Sequence, residues 1–327
     1  MSAALLLDSD RHRVTHFARE SRFVVVTFDH WMSGKRGFAA GQGGGLYEQR
    51  GWSQIHVATA HNDWFMGERT EALFDVVRAA CAGYERVLTC GSSMAGYAAL
   101  LFAGPIGAER AIAVSPQFSV DPAKVPWEDR WADDRRGLDF GADRLVPGAS
   151  AAQATVLYDP WHAQDAKHVA RLRALFPGWT YVSLAGAGHP SFLAFQDVHV
   201  AARVVAQLIE ASIAPGEIVA LFKRVRRRSV SYWSSLAERA VRRPAVVRAA
   251  IRHCIEAAEV PPPLLFKLAL AASRSGDDRQ GIALFERAIA GAPNPPPWWA
   301  QRLREARARC AAQSGDQAVG RKPSTDR

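Results

Sequence analysis

The chain has 327 residues, of which 48% are apolar and 22% charged, and its formal net charge is +9. The apolar fraction excludes a chain that is disordered throughout, because it is large enough to form one large core or two smaller ones. The charge is unevenly divided: residues 1–215 contain 20 Lys and Arg against 22 Asp and Glu, whereas residues 216–327 contain 21 against 10. The basic excess therefore belongs to the last third and does not by itself indicate a nucleic-acid-binding protein.

The sequence predicts neither a secretory signal nor a membrane span. The apolar run at residues 3–7 lacks a basic lead-in and is too short for a signal core. No stretch approaches the roughly 18 apolar residues of a spanning helix. The four cysteines occur without a CxxC pair, so we expect neither a disulfide framework nor a metal site. These features favour a cytoplasmic protein that is not transmembrane.

The first two thirds of the chain predict alternating strands and helices. Residues 3–8 and 13–18 predict an antiparallel hairpin at a sheet edge. Apolar, β-branched runs then predict strands at 23–28, 54–60, 86–90, 110–114, 154–158 and 180–184. Apolar residues at helical spacing predict helices at 71–84, 96–103, 165–176 and 191–213. This order predicts an α/β fold, a mostly parallel sheet flanked by helices.

The pattern changes near residue 215, where we place a domain boundary. Residues 216–312 predict a small all-α region whose helices are separated by prolines. Residues 313–327 are polar and predict a disordered tail.

A serine in the segment 86–102 is the clearest chemical signal. A predicted strand enters Gly-x-Ser-x-Ala-Gly, with Ser93 at its centre, and a helix follows without a spacer. Such a turn lifts the serine Oγ to the carboxyl end of the sheet and leaves the next N–H, that of Met94, facing a developing oxyanion. An ordinary strand-to-helix turn is the alternative interpretation.

A nucleophilic serine needs a histidine base and a carboxylate. His189 lies in a turn of small residues directly after the last predicted strand, although a surface-loop histidine would also fit there. Two carboxylates follow the preceding strand, Asp159 and Asp165. We prefer Asp159 as the acid, because it ends the strand, whereas capping of the next helix would account for Asp165.

Residues 1–213 thus resemble the α/β-hydrolase-fold serine hydrolases, with Ser93, Asp159 and His189 in that family's order of nucleophile, acid and base. The resemblance implies a nucleophile elbow at Ser93 and an oxyanion hole formed by Met94 and by His30, in the loop after an early strand. The chain departs from the family in lacking the usual His-Gly in that loop. The resemblance also implies a catalytic triad that cleaves a carboxylic ester or related acyl bond of a small molecule, with no cofactor.

The predicted substrate pocket involves three further residues and an insertion. Trp31, Asp63 and Trp64 follow predicted strands at the end of the sheet where ligands bind, although turn chemistry explains Asp63 and Trp64 equally well. Residues 118–150 lie where this family often inserts a lid, and they are long enough for only a small one.

The last third resembles a tetratricopeptide unit over residues 265–293, with a small residue, an aromatic residue and alanine at Gly281, Phe285 and Ala288. The run 223–228 predicts a basic amphipathic helix or linker, and a solvated helix face is the alternative interpretation. Residues 220–310 are therefore a candidate surface for a protein partner or an anionic surface, and nucleic acid is not expected. Three hypotheses stay open: a serine esterase, an acyltransferase with the same triad, and a non-catalytic binding module that uses the helical region.

Overall fold

The computed structural model of the protein describes residues 2–38, 45–151, 153–256 and 259–319. The chain forms two compact units, Met1–Val225 and Arg226–Arg327. The boundary predicted near residue 215 lies one helix too early, because the helix beginning at Pro215 packs against the last strand of the sheet.

The first unit is built around an eight-stranded sheet. Its strands are β1 (Ser2–Asp8), β2 (His12–Ala18), β3 (Phe23–Phe28), β4 (Ser53–Thr59), β5 (Arg86–Ser92), β6 (Arg110–Val114), β7 (Ala154–Tyr158) and β8 (Thr180–Ser183). They lie in the order β1-β2-β4-β3-β5-β6-β7-β8. The pairs β1–β2 and β2–β4 are antiparallel, and the strands from β3 to β8 are parallel. The predicted α/β class and edge hairpin are confirmed.

Helices cover the sheet of the first unit. They are α1 (Leu46–Gln49), α2 (Thr70–Cys81), α3 (Met94–Ala103), α4 (Ala163–Leu175), α5 (Leu193–Gln196), α6 (Ala201–Ile209) and α7 (Pro215–Val225). The single helix predicted over 191–213 is divided into α5 and α6. His199 lies between them with φ of 57°, a left-handed conformation that a continuing α-helix cannot contain.

Helix α3, which follows Ser93, is buried on all of its faces. The ring of Phe102 near its end lies 4.8 Å from that of Phe28 and 4.6 Å from that of Phe74, measured between centroids. Aromatic contacts of this kind contribute about 0.5–1.5 kcal/mol each beyond the area they bury. Because α3 cannot shift without opening this core, the turn before it is held in place.

The second unit is helical over its described residues. After a short 3₁₀ turn, its helices are α8 (Val230–Arg239), α9 (Pro244–Glu256), α10 (Pro262–Arg274), α11 (Asp278–Gly291) and α12 (Pro297–Val319). Helices α8 and α9 pack as one pair, and α10 and α11 as another. A Cβ added at Gly281 would lie 3.2 Å from the carbonyl oxygen of Ala269, so glycine allows α10 and α11 to approach closely. The tetratricopeptide resemblance stays a prediction.

Part of the segment 313–327, predicted as a disordered tail, is helical in the structure. Residues 313–319 continue α12, and residues 320–327 lie outside the described part of the chain. Among the described helices, none combines the length and apolar character that crossing a membrane requires.

Candidate active site

Ser93 occupies a sharp turn between β5 and α3. Its backbone has φ of 57° and ψ of −119°, which is strained for a residue with a side chain. A Cβ added at Gly91 would lie 2.0 Å from the carbonyl oxygen of Ala95, so only glycine fits where strand and helix cross. The Ser93 N–H donates to the carbonyl oxygen of Val114 on β6 at 2.8 Å, which ties the turn to the sheet.

Ser93, His189 and Asp165 form a hydrogen-bonded series. Ser93 Oγ lies 3.0 Å from His189 Nε2, and His189 Nδ1 lies 2.7 Å from Asp165 Oδ2. An ionised carboxylate only accepts hydrogen bonds, so the imidazole proton lies on Nδ1 and Nε2 is left to accept the serine hydroxyl. This is the arrangement in which a serine is deprotonated as it attacks a carbonyl.

The structure corrects the preferred acid, because Asp165 and not Asp159 contacts His189. The carboxylate of Asp159 instead accepts the backbone N–H groups of Gly186, Gly188 and Trp161, at 2.9, 2.8 and 2.8 Å. Asp159 therefore shapes the loop that delivers His189. The capping role expected of Asp165 is also taken by another side chain, since His162 caps α4.

Arg130 holds the other oxygen of the Asp165 carboxylate, with Nη1 2.9 Å from Oδ1. The same guanidinium forms several hydrogen bonds to Glu128, and Glu128 Oε2 lies 2.9 Å from Nε2 of the buried His168 on α4. Two buried carboxylates thus share one cation, as buried charges require. The segment 118–150, predicted as a small lid, contributes this support. Nothing in the sequence predicted this role, because the segment is rich in charged residues but contains no recognisable motif.

Burial and charge set the protonation states of these groups. Burial lowers the pKa of His189, an effect that the carboxylate of Asp165 opposes and the guanidinium of Arg130 reinforces. Burial alone would raise the pKa of Asp165, but His189 and His162 hold that pKa well below its usual range. Burial alone would also raise the pKa of Glu128, but hydrogen bonds from His168 and Arg130 outweigh burial and lower this pKa to about 2. At neutral pH a neutral imidazole therefore faces ionised Asp165, as a general base requires.

A cavity of about 1090 Å³ opens onto Ser93 and His189. Trp31 and His30 line it from the loop after β3, and Arg130 and Trp131 line it from the segment 118–150. Three buried polar residues of β3 and β4 also line it, Thr27, Gln54 and His56.

Two of the three predicted pocket residues do not line this cavity. Asp63 and Trp64 are buried in the protein, with 1% and 0% of their surface exposed. The third, Trp31, faces the cavity, and its indole N–H donates to Asp134 Oδ2 at 2.7 Å.

The predicted oxyanion donors lie on two anchored segments. Met94 is the first residue of α3, where backbone N–H groups have no partner within the helix. The loop that carries His30 is fixed by buried Asp29, whose carboxylate lies 3.0 Å from His56 Nε2 and 2.6 Å from Lys35 Nζ. Met94 directly follows Ser93 in the chain, and His30 lines the same cavity as Ser93.

His162, Asp165 and His189 also offer the donor types of a metal site, with one ligand atom of each within 4.8 Å of the others. A cation there would lie close to the Arg130 guanidinium, which already contacts Asp165 Oδ1. It would also displace the hydrogen bond between Asp165 and His189. The cluster therefore fits the hydrogen-bonded series better than a metal centre.

Neither a family model nor a curated protein sequence matches the chain. Among solved structures, the capsule O-acetyltransferase of Neisseria meningitidis serogroup A is similar over 62% of this chain and 93% of its own, at 10% identity and a TM-score of 0.44. Est1E from Butyrivibrio proteoclasticus is similar over 64% of this chain and 100% of its own, at 11% identity and a TM-score of 0.41. The Pyrobaculum calidifontis esterase is similar over 62% and 82% respectively, at 15% identity and a TM-score of 0.38. The first unit has the α/β-hydrolase fold. Two of its own features carry this assignment: the strand order, and the turn that places Ser93 between β5 and α3.

Proposed function

We propose that the first unit is a serine hydrolase that cleaves a carboxylic ester or a related acyl bond through an acyl-enzyme on Ser93. The observation that supports this most directly is the series of Ser93 Oγ, His189 and Asp165, with separations of 3.0 and 2.7 Å. Ser93 and His189 of this series line a cavity that can admit a small molecule.

In the first half of the reaction, His189 Nε2 takes the proton of Ser93 as Oγ attacks the carbonyl carbon. The backbone N–H of Met94 and a donor from the loop at His30 stabilise the oxyanion. Asp165 keeps the imidazole oriented and stabilises its positive charge. The tetrahedral intermediate then breaks its bond to the alcohol oxygen, the proton on His189 passes to the departing alcohol, and the acyl group stays on Ser93.

In the second half, water attacks the acyl-enzyme while His189 accepts one of its protons. The bond between the carbonyl carbon and Ser93 Oγ breaks, the proton returns to Oγ, and the carboxylic acid leaves. If a hydroxylated molecule replaces water, the same steps transfer the acyl group to it. The acceptor that reaches the acyl-enzyme therefore separates hydrolysis from acyl transfer.

A fluorophosphonate probe tests the nucleophile directly. We expect the wild-type protein to be labelled and Ser93→Ala not to be. Ser183→Ala, which alters an exposed serine at the end of β8, should be labelled like the wild type. Equal labelling of Ser93→Ala and the wild type would contradict the proposal. Hydrolysis of p-nitrophenyl esters of graded chain length, with and without an added polyol, then defines the acyl group and the acceptor.

A further inference from the structure

A buried side chain outside the predicted triad also contacts the nucleophile. Gln117 follows β6 and has none of its surface exposed. Its Nε2 lies 3.3 Å from Ser93 Oγ, and its Oε1 lies 3.1 Å from the indole Nε1 of Trp64. These contacts form a second series that reaches Ser93 independently of His189.

The chemistry of the indole fixes which end of the amide faces the serine. An indole N–H can only donate, so the Gln117 oxygen must face Trp64 and the NH₂ group must face Ser93. The Ser93 hydroxyl proton is directed to His189 Nε2. One lone pair of Oγ can then accept from Gln117, and the other is left for attack on a carbonyl carbon.

Trp64 itself is held in a strained turn. Trp64 and Phe65 have φ of 52° and 58°, a conformation that costs of order 1–3 kcal/mol for residues with side chains. The turn is stabilised by Asp63, which accepts the Phe65 N–H at 2.9 Å and the Arg11 Nε–H at 2.8 Å. The indole is also packed edge-on against Trp131, with 5.4 Å between ring centroids. The turn and the contact with Trp131 therefore hold the Trp64 indole with its N–H toward Gln117.

We propose that Gln117 is a catalytic residue that donates a hydrogen bond to Ser93 Oγ when negative charge develops on that atom, and that Trp64 positions its amide. The inference rests on the proposed function of Ser93. Charge develops on Oγ as its proton moves to His189, and again in deacylation, when the electron pair of the breaking carbon–oxygen bond returns to Oγ. A neutral donor already in place in a buried site stabilises that charge without reorganising solvent.

The test is Gln117→Met, which keeps the size of the side chain but removes the donor. Burst kinetics with a p-nitrophenyl ester separate acylation from deacylation. We expect kcat to fall about tenfold or more, with the acylation and deacylation rates both reduced and KM therefore little changed. Gln153→Met, which alters an exposed glutamine, should match the wild type. A thermal melt of each variant reports folding, and Gln117→Leu supplies a second apolar side chain that also lacks a donor.

Trp64→Phe tests the positioning role, because it keeps the aromatic bulk but loses the indole N–H. We expect a smaller fall in kcat than for Gln117→Met. The double variant Trp64→Phe/Gln117→Met should be no slower than Gln117→Met alone, since Trp64 acts through the amide. Multiplicative losses would overturn the role of Trp64.

The outcomes separate this inference from the proposed function. If Gln117→Met and Gln117→Leu acylate and deacylate at the wild-type rates, the role of Gln117 is overturned while Ser93 remains the nucleophile. If the wild-type protein is neither labelled by a fluorophosphonate nor active on esters, the proposed function is overturned and the role of Gln117 with it.

Discussion

Arg130 Nη1 lies 2.9 Å from Asp165 Oδ1, on the carboxylate oxygen that does not face His189. The guanidinium thus supports the carboxylate that contacts His189, from a segment 35 residues earlier in the chain. This support explains how a carboxylate on the first turn of α4 is held in line with the histidine. Asp159, which directly follows β7, instead accepts hydrogen bonds from backbone N–H groups of the loop before His189.

The two carboxylates should respond differently to amidation. Asp165→Asn should lower kcat by about 10³- to 10⁴-fold with little effect on KM, because asparagine no longer fixes the imidazole tautomer. Asp159→Asn should act mainly on stability, by about 1–3 kcal/mol, since it weakens three hydrogen bonds to backbone N–H groups. Ester hydrolysis and urea unfolding of both variants provide the measurement. A larger loss of kcat in Asp159→Asn than in Asp165→Asn would contradict this assignment.

The pH dependence of kcat/KM should report His189. The base must be neutral to accept the serine proton, so activity rises as His189 loses its own proton. Because burial lowers the pKa of His189 below its ordinary value of 6.5, half-maximal activity on the acid side should fall below that pH. A pH profile from 4 to 9 measures it, with fluorophosphonate reactivity as a second readout. An inflection above 6.5 would be inconsistent with the buried imidazole.

Removing the charge of Arg130 should shift that inflection upward. The guanidinium disfavours a proton on His189, so its loss in Arg130→Gln raises the pKa of the histidine. We also expect a lower maximal rate, because Asp165 loses a partner. Arg136→Gln, which removes an exposed arginine paired with Asp133 in the same insertion, is the matched control and should leave the profile unchanged. An identical profile for Arg130→Gln and the wild type would show that Arg130 does not act through His189.

The serine turn should not tolerate a side chain at Gly91. A Cβ there would lie 2.0 Å from the carbonyl oxygen of Ala95, so strand or helix must move. We expect Gly91→Ala to lose roughly 3 kcal/mol or more of unfolding free energy. Gly83→Ala is the control, because a Cβ at Gly83 meets no atom within 4 Å, and its effect should stay within about 0.5 kcal/mol. Chemical denaturation compares the two, and similar stabilities would contradict the steric argument.

The sequence by itself determined the order of strands and helices and the position of the serine turn. Strands at 23–28, 110–114 and 154–158 were predicted with the bounds that the structure has. These features are local, because hydrophobic periodicity and the need for glycine next to a strained serine act between neighbours in the chain.

Only the tertiary structure decided which carboxylate meets His189, and that Arg130 and Gln117 contribute to the site. Asp159 and Asp165 both follow β7, and their sequence positions do not state which one faces the histidine loop. Gln117 contacts Ser93 only because β5 and β6 are adjacent in the sheet. Such contacts depend on distances between segments far apart in sequence, which packing of the whole unit sets and local pattern does not encode.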